Sequence, residues 1–157
     1  MTASGDSGWT STAARGCSAR IFLSASALKA NSIRLNTISS NLANIETTST
    51  PEGGPYKKKS VYFESRPVSF REQLESNIRD SVQGVEVTQI LEDQEPPRKI
   101  YNPSHPDAAE DGYVEMPHIS VLEETVDMMS ATRAYQANVT TIKSAKRMAL
   151  KALEIGR

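Results

Sequence analysis

A single cysteine, Cys17, stands in 157 residues. That excludes an internal disulfide and any multi-cysteine metal centre. Aromatic residues make up only 6% of the chain and all hydrophobic residues 38%, so a chain long enough for one domain has little material to fill a core. No apolar run reaches the length of about 18 residues that a membrane-spanning helix needs. The first twenty residues lack the apolar segment of a cleaved secretion signal, so classical secretion is not expected. Neither sign of charge dominates: 18 basic residues face 19 acidic ones, for a net charge of −1. Phosphate binding needs a clear cationic surplus, so nucleic acid is not an expected partner.

The charge that is present is unevenly placed. Residues 1–50 are net +2, residues 51–118 net −5 and residues 119–157 net +2. The two ends resemble each other and differ from the middle. Met1 to Arg20 is rich in Ser, Thr, Gly and Ala without an apolar period, so 1–20 is expected to be a disordered extension. From Ile21 the pattern changes: Leu28, Leu35 and Leu42 recur every seven residues, and Ile38 and Ile45 add the second position of the seam. No Gly or Pro interrupts 21–45, which predicts a helix within an N-terminal segment 21–48. Its remaining faces are Ser, Ala, Thr and Asn, with Lys29 and Arg34 the only charges between Ser24 and Ile45. Two readings stand: a weak surface helix, or a helix packed closely among neighbouring subunits.

The segment 118–157 has the complementary pattern. No Pro or Gly occurs from His118 to Ile155, about 57 Å of helix if all of it is helical. Met128, Tyr135, Ile142 and Ala149 recur by seven, and Ala131 and Ala145 sit three residues further on. Glu123, Glu124 and Asp127 open the segment, while Lys143, Lys146, Arg147 and Lys151 close it, as the helix dipole favours. Alanine-filled seams bury little area, so both terminal helices need further partners, which points to copies of the same chain.

Between them, 49–117 reads as a β-rich middle domain with long loops. Thr50-Pro51-Glu52-Gly53-Gly54-Pro55 is a turn. Lys57-Lys58-Lys59 leads into a predicted strand around Val61 and Phe63; the lysines read as a solvated edge or as an anionic contact. Phe70, Leu74, Ile78 and Val82 predict a short helix, and Val85–Ile90 a strand. Five prolines in 96–117 argue against a sheet interior there; Tyr101–Asp107 is expected to be an ordered loop and Gly112-Tyr113-Val114 a short strand. The fold class is thus mainly α with a small β-rich middle, the helices pairing with each other as an antiparallel coiled coil.

Chemistry is sparse. His105 and His118 each lie beside proline, without a second metal ligand at helical spacing. His105 with Asp107 reads as loop-stabilising in preference to acid–base work. Glu92, Asp93 and Glu95 read as a solvated acidic loop in preference to a divalent-ion site. No phosphate loop or nucleophile elbow occurs. No catalytic residue, cofactor, metal or small-molecule substrate is expected, and the chain is read as a non-enzyme.

Certain blocks are distinctive. Ser39-Ser40-Asn41-Leu42-Ala43-Asn44, followed by Thr47 and Thr48, resembles the N-terminal signature of bacterial flagellar rod and hook proteins. Thr50 to Tyr56, with Gly53, Gly54, Pro55 and Tyr56, narrows the resemblance to the proximal branch of the basal-body rod proteins. So do Tyr101 to Ala108, with His105, Pro106 and Asp107, and the blocks Met129 to Val139 and Ala149 to Arg157. The resemblance implies a structural subunit that leaves the cell through the flagellar type III export apparatus without a cleaved signal. It implies polymerisation into the periplasmic rod, which carries torque and encloses the export channel. The partners it implies are copies of the chain, other rod proteins and the protein joining rod to MS ring. A cytosolic coiled-coil adaptor that binds a partner helix is the alternative; it predicts charged flanks along the seam, which are absent between Asn36 and Ile45.

Overall fold

The computed structural model describes residues 8–65 and 84–155. Two long helices, α1 (Gly8–Ala43) and α2 (Val121–Ile155), flank four strands: β1 (Lys59–Ser65), β2 (Val85–Glu92), β3 (Arg98–Tyr101) and β4 (Tyr113–Met116). The fold is mainly α with a small β middle. The chain divides into two compact units. The first draws on the chain up to Asn31, on Phe63–Glu86 and on the chain from Ala134 onward. The second comprises Ser32–Tyr62 and Val87–Arg133.

Helix α1 begins well before the expected position. The stretch 8–20, expected to be disordered, is helical. It contains no proline, and adding turns to a formed helix avoids the nucleation cost that isolates a weak segment. At the other end α1 stops at Ala43. The Asn44 amide N–H bonds to Ser40 O at 3.1 Å and Asn44 Nδ2 donates to the same carbonyl at 2.8 Å. The side chain thereby takes up a carbonyl that the ending helix would leave open. Helix α2 starts at Val121, three residues after the expected His118. Ser120 caps it: its carbonyl accepts from the Glu124 N–H at 3.0 Å and its hydroxyl from the Glu123 N–H at 3.5 Å. Ser-x-x-Glu is the sequence form of a capping box.

The polar residues on both helices fold onto their own backbones. The Thr37, Thr132 and Thr141 hydroxyls donate to carbonyls four residues earlier at 2.8–3.1 Å. Asn31 and Asn138 do the same through Nδ2. A polar group satisfied in this way can be covered without a partner across the contact. Thr37, whose hydroxyl is held by Ile33 O, is buried in this way.

In the middle, β1 pairs with β2 in a two-stranded ribbon, and the Asp93 N–H bonds to Lys58 O at 2.8 Å where the ribbon closes. Strands β3 and β4 form an antiparallel pair with Ile100 opposite Val114 and Tyr101 opposite Tyr113. Strand β3 was not expected. It fits between Pro97 and Pro103, in a two-stranded sheet where a proline just outside the ladder removes no bond. Tyr101, expected in a loop, therefore belongs to a strand. Val114, in β4, is 1% exposed and is the apolar core of this region. The short helix expected from Phe70 to Val82 lies outside the described residues.

Candidate functional site

Two of the blocks that distinguish the sequence, Ser39 to Asn44 and Thr50 to Tyr56, meet in the second unit at one buried polar junction. Asn41, on the last turn of α1, is 1% exposed and uses all four of its hydrogen-bonding positions. Its Oδ1 accepts from the Lys59 backbone N–H at 3.0 Å and from the Tyr56 hydroxyl at 3.1 Å. Its Nδ2 donates to Lys59 O at 2.9 Å and to Glu124 Oε2 at 3.2 Å. The end of α1 is thus tied to the start of β1, the tyrosine after the Gly-Gly turn and the first turn of α2. An amide supplies two donors and two acceptors in one plane, and no other uncharged side chain offers that set at this length.

Glu124 is 2% exposed, an expensive place for a carboxylate. It is held by Asn41 and by Lys58 Nζ at 2.9 Å. The hydrogen bond to Glu124 raises the Lys58 pKa above 10.5, and partial burial of the amine opposes that rise. The lysine triplet thus divides its work. Lys58 points to the buried carboxylate, Lys59 lends its backbone to Asn41, and Lys57 is exposed. Arg34 reaches Asp127 at 3.3 Å as a second, exposed link between α1 and α2.

The Gly-Gly turn orients Tyr56. Gly53 N–H bonds to Thr50 O at 2.9 Å, and Thr50 N–H to Gly54 O at 2.9 Å. Gly53 and Gly54 have φ of 91° and 82°, a region that favours glycine. The His-Pro-Asp block serves a second tie. His105 Nδ1 accepts the Asp107 N–H at 3.1 Å, and the Asp107 carboxylate accepts the Thr48 hydroxyl at 2.7 Å. His105 therefore stabilises its loop, as expected.

His118 differs from the expectation. Its Nδ1 lies 2.7 Å from Glu95 Oε2, and donor atoms of Asp93, Glu95 and His118 all fall within 4.8 Å of one another. Local spacing missed this group because the carboxylates come from the loop after β2 and the imidazole from the segment after β4. Both side chains of this contact are exposed.

The seam residues divide by burial. Ile38, Ala131 and Ala145 are buried; Leu28, Leu35, Leu42, Ile45, Met128 and Ile142 are half-buried; Tyr135 and Ala149 are exposed. Of the motif residues, Ser40 and Ala43 are exposed, while Asn44, Pro55, Tyr56 and His105 are half-buried. Glu124 and Lys58 were not singled out for this junction. The sequence signal available for Glu124 was an acidic residue in the first turn of a helix, which dipole considerations alone explain.

A buried brace ties the end of α1 and the first turn of α2 to the small middle, an arrangement suited to holding a shape. Residues 23–49 match the family described as flagella basal body rod protein, and residues 110–155 match the C-terminal family of the flagellar basal body rod FlgEFG proteins. The chain is 43% identical over 142 residues to the flagellar basal-body rod protein FlgC of Bacillus subtilis, covering 86% of this chain and 95% of that protein. It is 39% identical over 135 residues to FlgC of Salmonella typhimurium and 39% over 146 residues to FlgC of Borreliella burgdorferi; each alignment covers 86% of this chain and 94% of its relative. The chain belongs to the flagellar basal-body rod protein family and is a FlgC-like structural rod subunit, not an enzyme. The cytosolic adaptor alternative finds no support in these relatives.

Proposed function

We propose that this subunit builds the proximal part of the periplasmic rod, with segments 21–48 and 118–157 paired as an antiparallel coiled coil and 49–117 carried outside it. The observation that carries this reading is the pair of links between the helices. Arg34 meets Asp127, and Asn41, further along α1, meets Glu124, earlier along α2. Partners that run in opposite directions are the mark of antiparallel neighbours. The small, internally satisfied polar residues on both helices support close packing against further copies. In this reading the helices line the export channel and the rod transmits torque. The subunit reaches the rod through the flagellar type III export apparatus without a cleaved signal. Its neighbours are copies of itself, other rod proteins and the protein that joins rod to MS ring.

The experiment places cysteine pairs across the seam, Ile38 with Ala131 and Leu28 with Ile142, in a chain carrying Cys17→Ser. Each pair should crosslink within one subunit in isolated basal bodies. Crosslinks confined to control pairs in the middle domain would reject the paired-helix arrangement. An intact N-terminus in the exported protein is expected; a shortened one would reject export without cleavage.

A further inference from the structure

A groove of about 860 Å³ opens in the second unit beside the start of α2. Its lining includes the half-buried Ile45, Ile100 and Ile119. Glu46, Asp93 and Glu123 line it too, none with an ion-pair partner among the described residues, against the single unpaired Arg98. The other polar groups at the groove are engaged, Lys58 with Glu124 and His118 with Glu95. The groove is therefore lined both by isoleucine side chains and by carboxylates without an ion-pair partner.

The complement lies at the end of α2. Lys143, Lys146 and Arg147 are exposed and have no ion-pair partner among the described residues. Spacings of three and four put them on one helix face with Leu150 and Leu153. Those two leucines are 52% and 72% exposed. Ala145, on another face, is buried. A stripe of three cations followed by two leucines thus faces outward over about 15 Å. Between Ser24 and Ala43, helix α1 offers no such match, because it carries only Lys29 and Arg34 there, and Arg34 is held by Asp127.

We propose that the groove receives the last turns of α2 from a second copy of this chain. Leu150 and Leu153 cover the isoleucines of the groove, and Lys143, Lys146 and Arg147 meet its carboxylates. Groove and helix end are different patches, so the contact is heterologous and each added copy leaves one of each patch open. The inference rests on the reading of the chain as an assembling subunit and names the surface that assembles.

The test uses the full-length chain and reverses one exposed charge on each patch. Glu46→Lys and Arg147→Glu should each weaken self-association about fivefold or more in sedimentation equilibrium, through loss of charge complementarity. A chain carrying both changes should return to within about twofold of the parent, because the complementarity is restored. In a Cys17→Ser background, chains with Ile119→Cys and chains with Leu150→Cys should form a disulfide-linked dimer when mixed, and neither should do so alone. A double-reversal chain no better than either single one overturns the proposal. So does a chain that stays monomeric at about millimolar concentration. Linkage of the Ile119→Cys site only to a different basal-body protein also overturns it. Such a result in a chain that still enters the basal body rejects this contact alone; a chain that never enters rejects the rod reading itself.

Discussion

Asn41 holds four partners in a space that water does not reach, so the groups around it depend on its amide. Asn41→Ala would leave the Lys59 N–H and carbonyl without their bonds and remove one partner each from Tyr56 and Glu124. The expected loss is about 3 kcal/mol of stability, read from urea unfolding of the purified chain. Asn41→Asp should be worse, because a second carboxylate oxygen would then face Glu124 Oε2 and Lys59 O. Lys58→Met strands the buried Glu124 carboxylate and should cost about 3–5 kcal/mol, most of it recovered when Glu124→Leu is added. The Lys58 pKa is raised above 10.5 by its bond to Glu124, so the unfolded chain loses this proton first as pH rises. The pairing then contributes fully below pH 10.5 and is lost as pH climbs through the higher folded value. Urea midpoints measured across that range should fall more steeply in the parent chain than in Lys58→Met. At this scale the sequence disclosed which block mattered and not why. Asn41 reads as one of several neutral polar residues on a helix, and its partners lie in segments that only the fold brings near.

The helices were legible because their signals are local. Long stretches without proline or glycine, seven-residue seams and a charge order suited to the dipole all act within one element. The ends were less so, since Ser120 and Asn44 act through single side-chain bonds to the backbone. The extension of α1 to Gly8 was missed because propagation depends on the helix that follows, not on the composition of 8–20. Strand β3 was missed because four residues between prolines form a strand only against β4. The loop joining them returns through Gly112, whose φ is +73°, and an added Cβ there would lie 2.9 Å from the Tyr101 ring. Gly112→Ala should cost about 1–2 kcal/mol from backbone strain alone, and more from the crowded ring. Gly54→Ala, with φ +82° and nothing within 4 Å of the new Cβ, reports the strain alone. Hydrogen exchange at Tyr113–Met116 should quicken more in Gly112→Ala than in Gly54→Ala; equal effects would remove Tyr101 from the explanation.

At the scale of the molecule, few apolar side chains among the described residues are fully covered. Besides Gly84 and Pro117, the buried apolar residues among those described are Ala30, Ile38, Val114, Ala131 and Ala145, and three of these five are alanine. Cores of that size bury little area, so the terminal helices should be poorly protected in the isolated subunit and become protected on assembly. Fast exchange is expected in the free chain across 21–31 and 134–155, with slow exchange near Asn41 and Glu124. The sequence carried this conclusion through its scarcity of aromatics and its alanine seams, while the braced junction that holds the second unit together was hidden. The most direct test of the account is electron microscopy of basal bodies from a strain whose own copy of this protein has been deleted, with and without this chain restored. The account predicts no completed rod in the deletion and a completed rod, with density for this subunit, when the chain is returned. Complete rods in the deletion strain would contradict it.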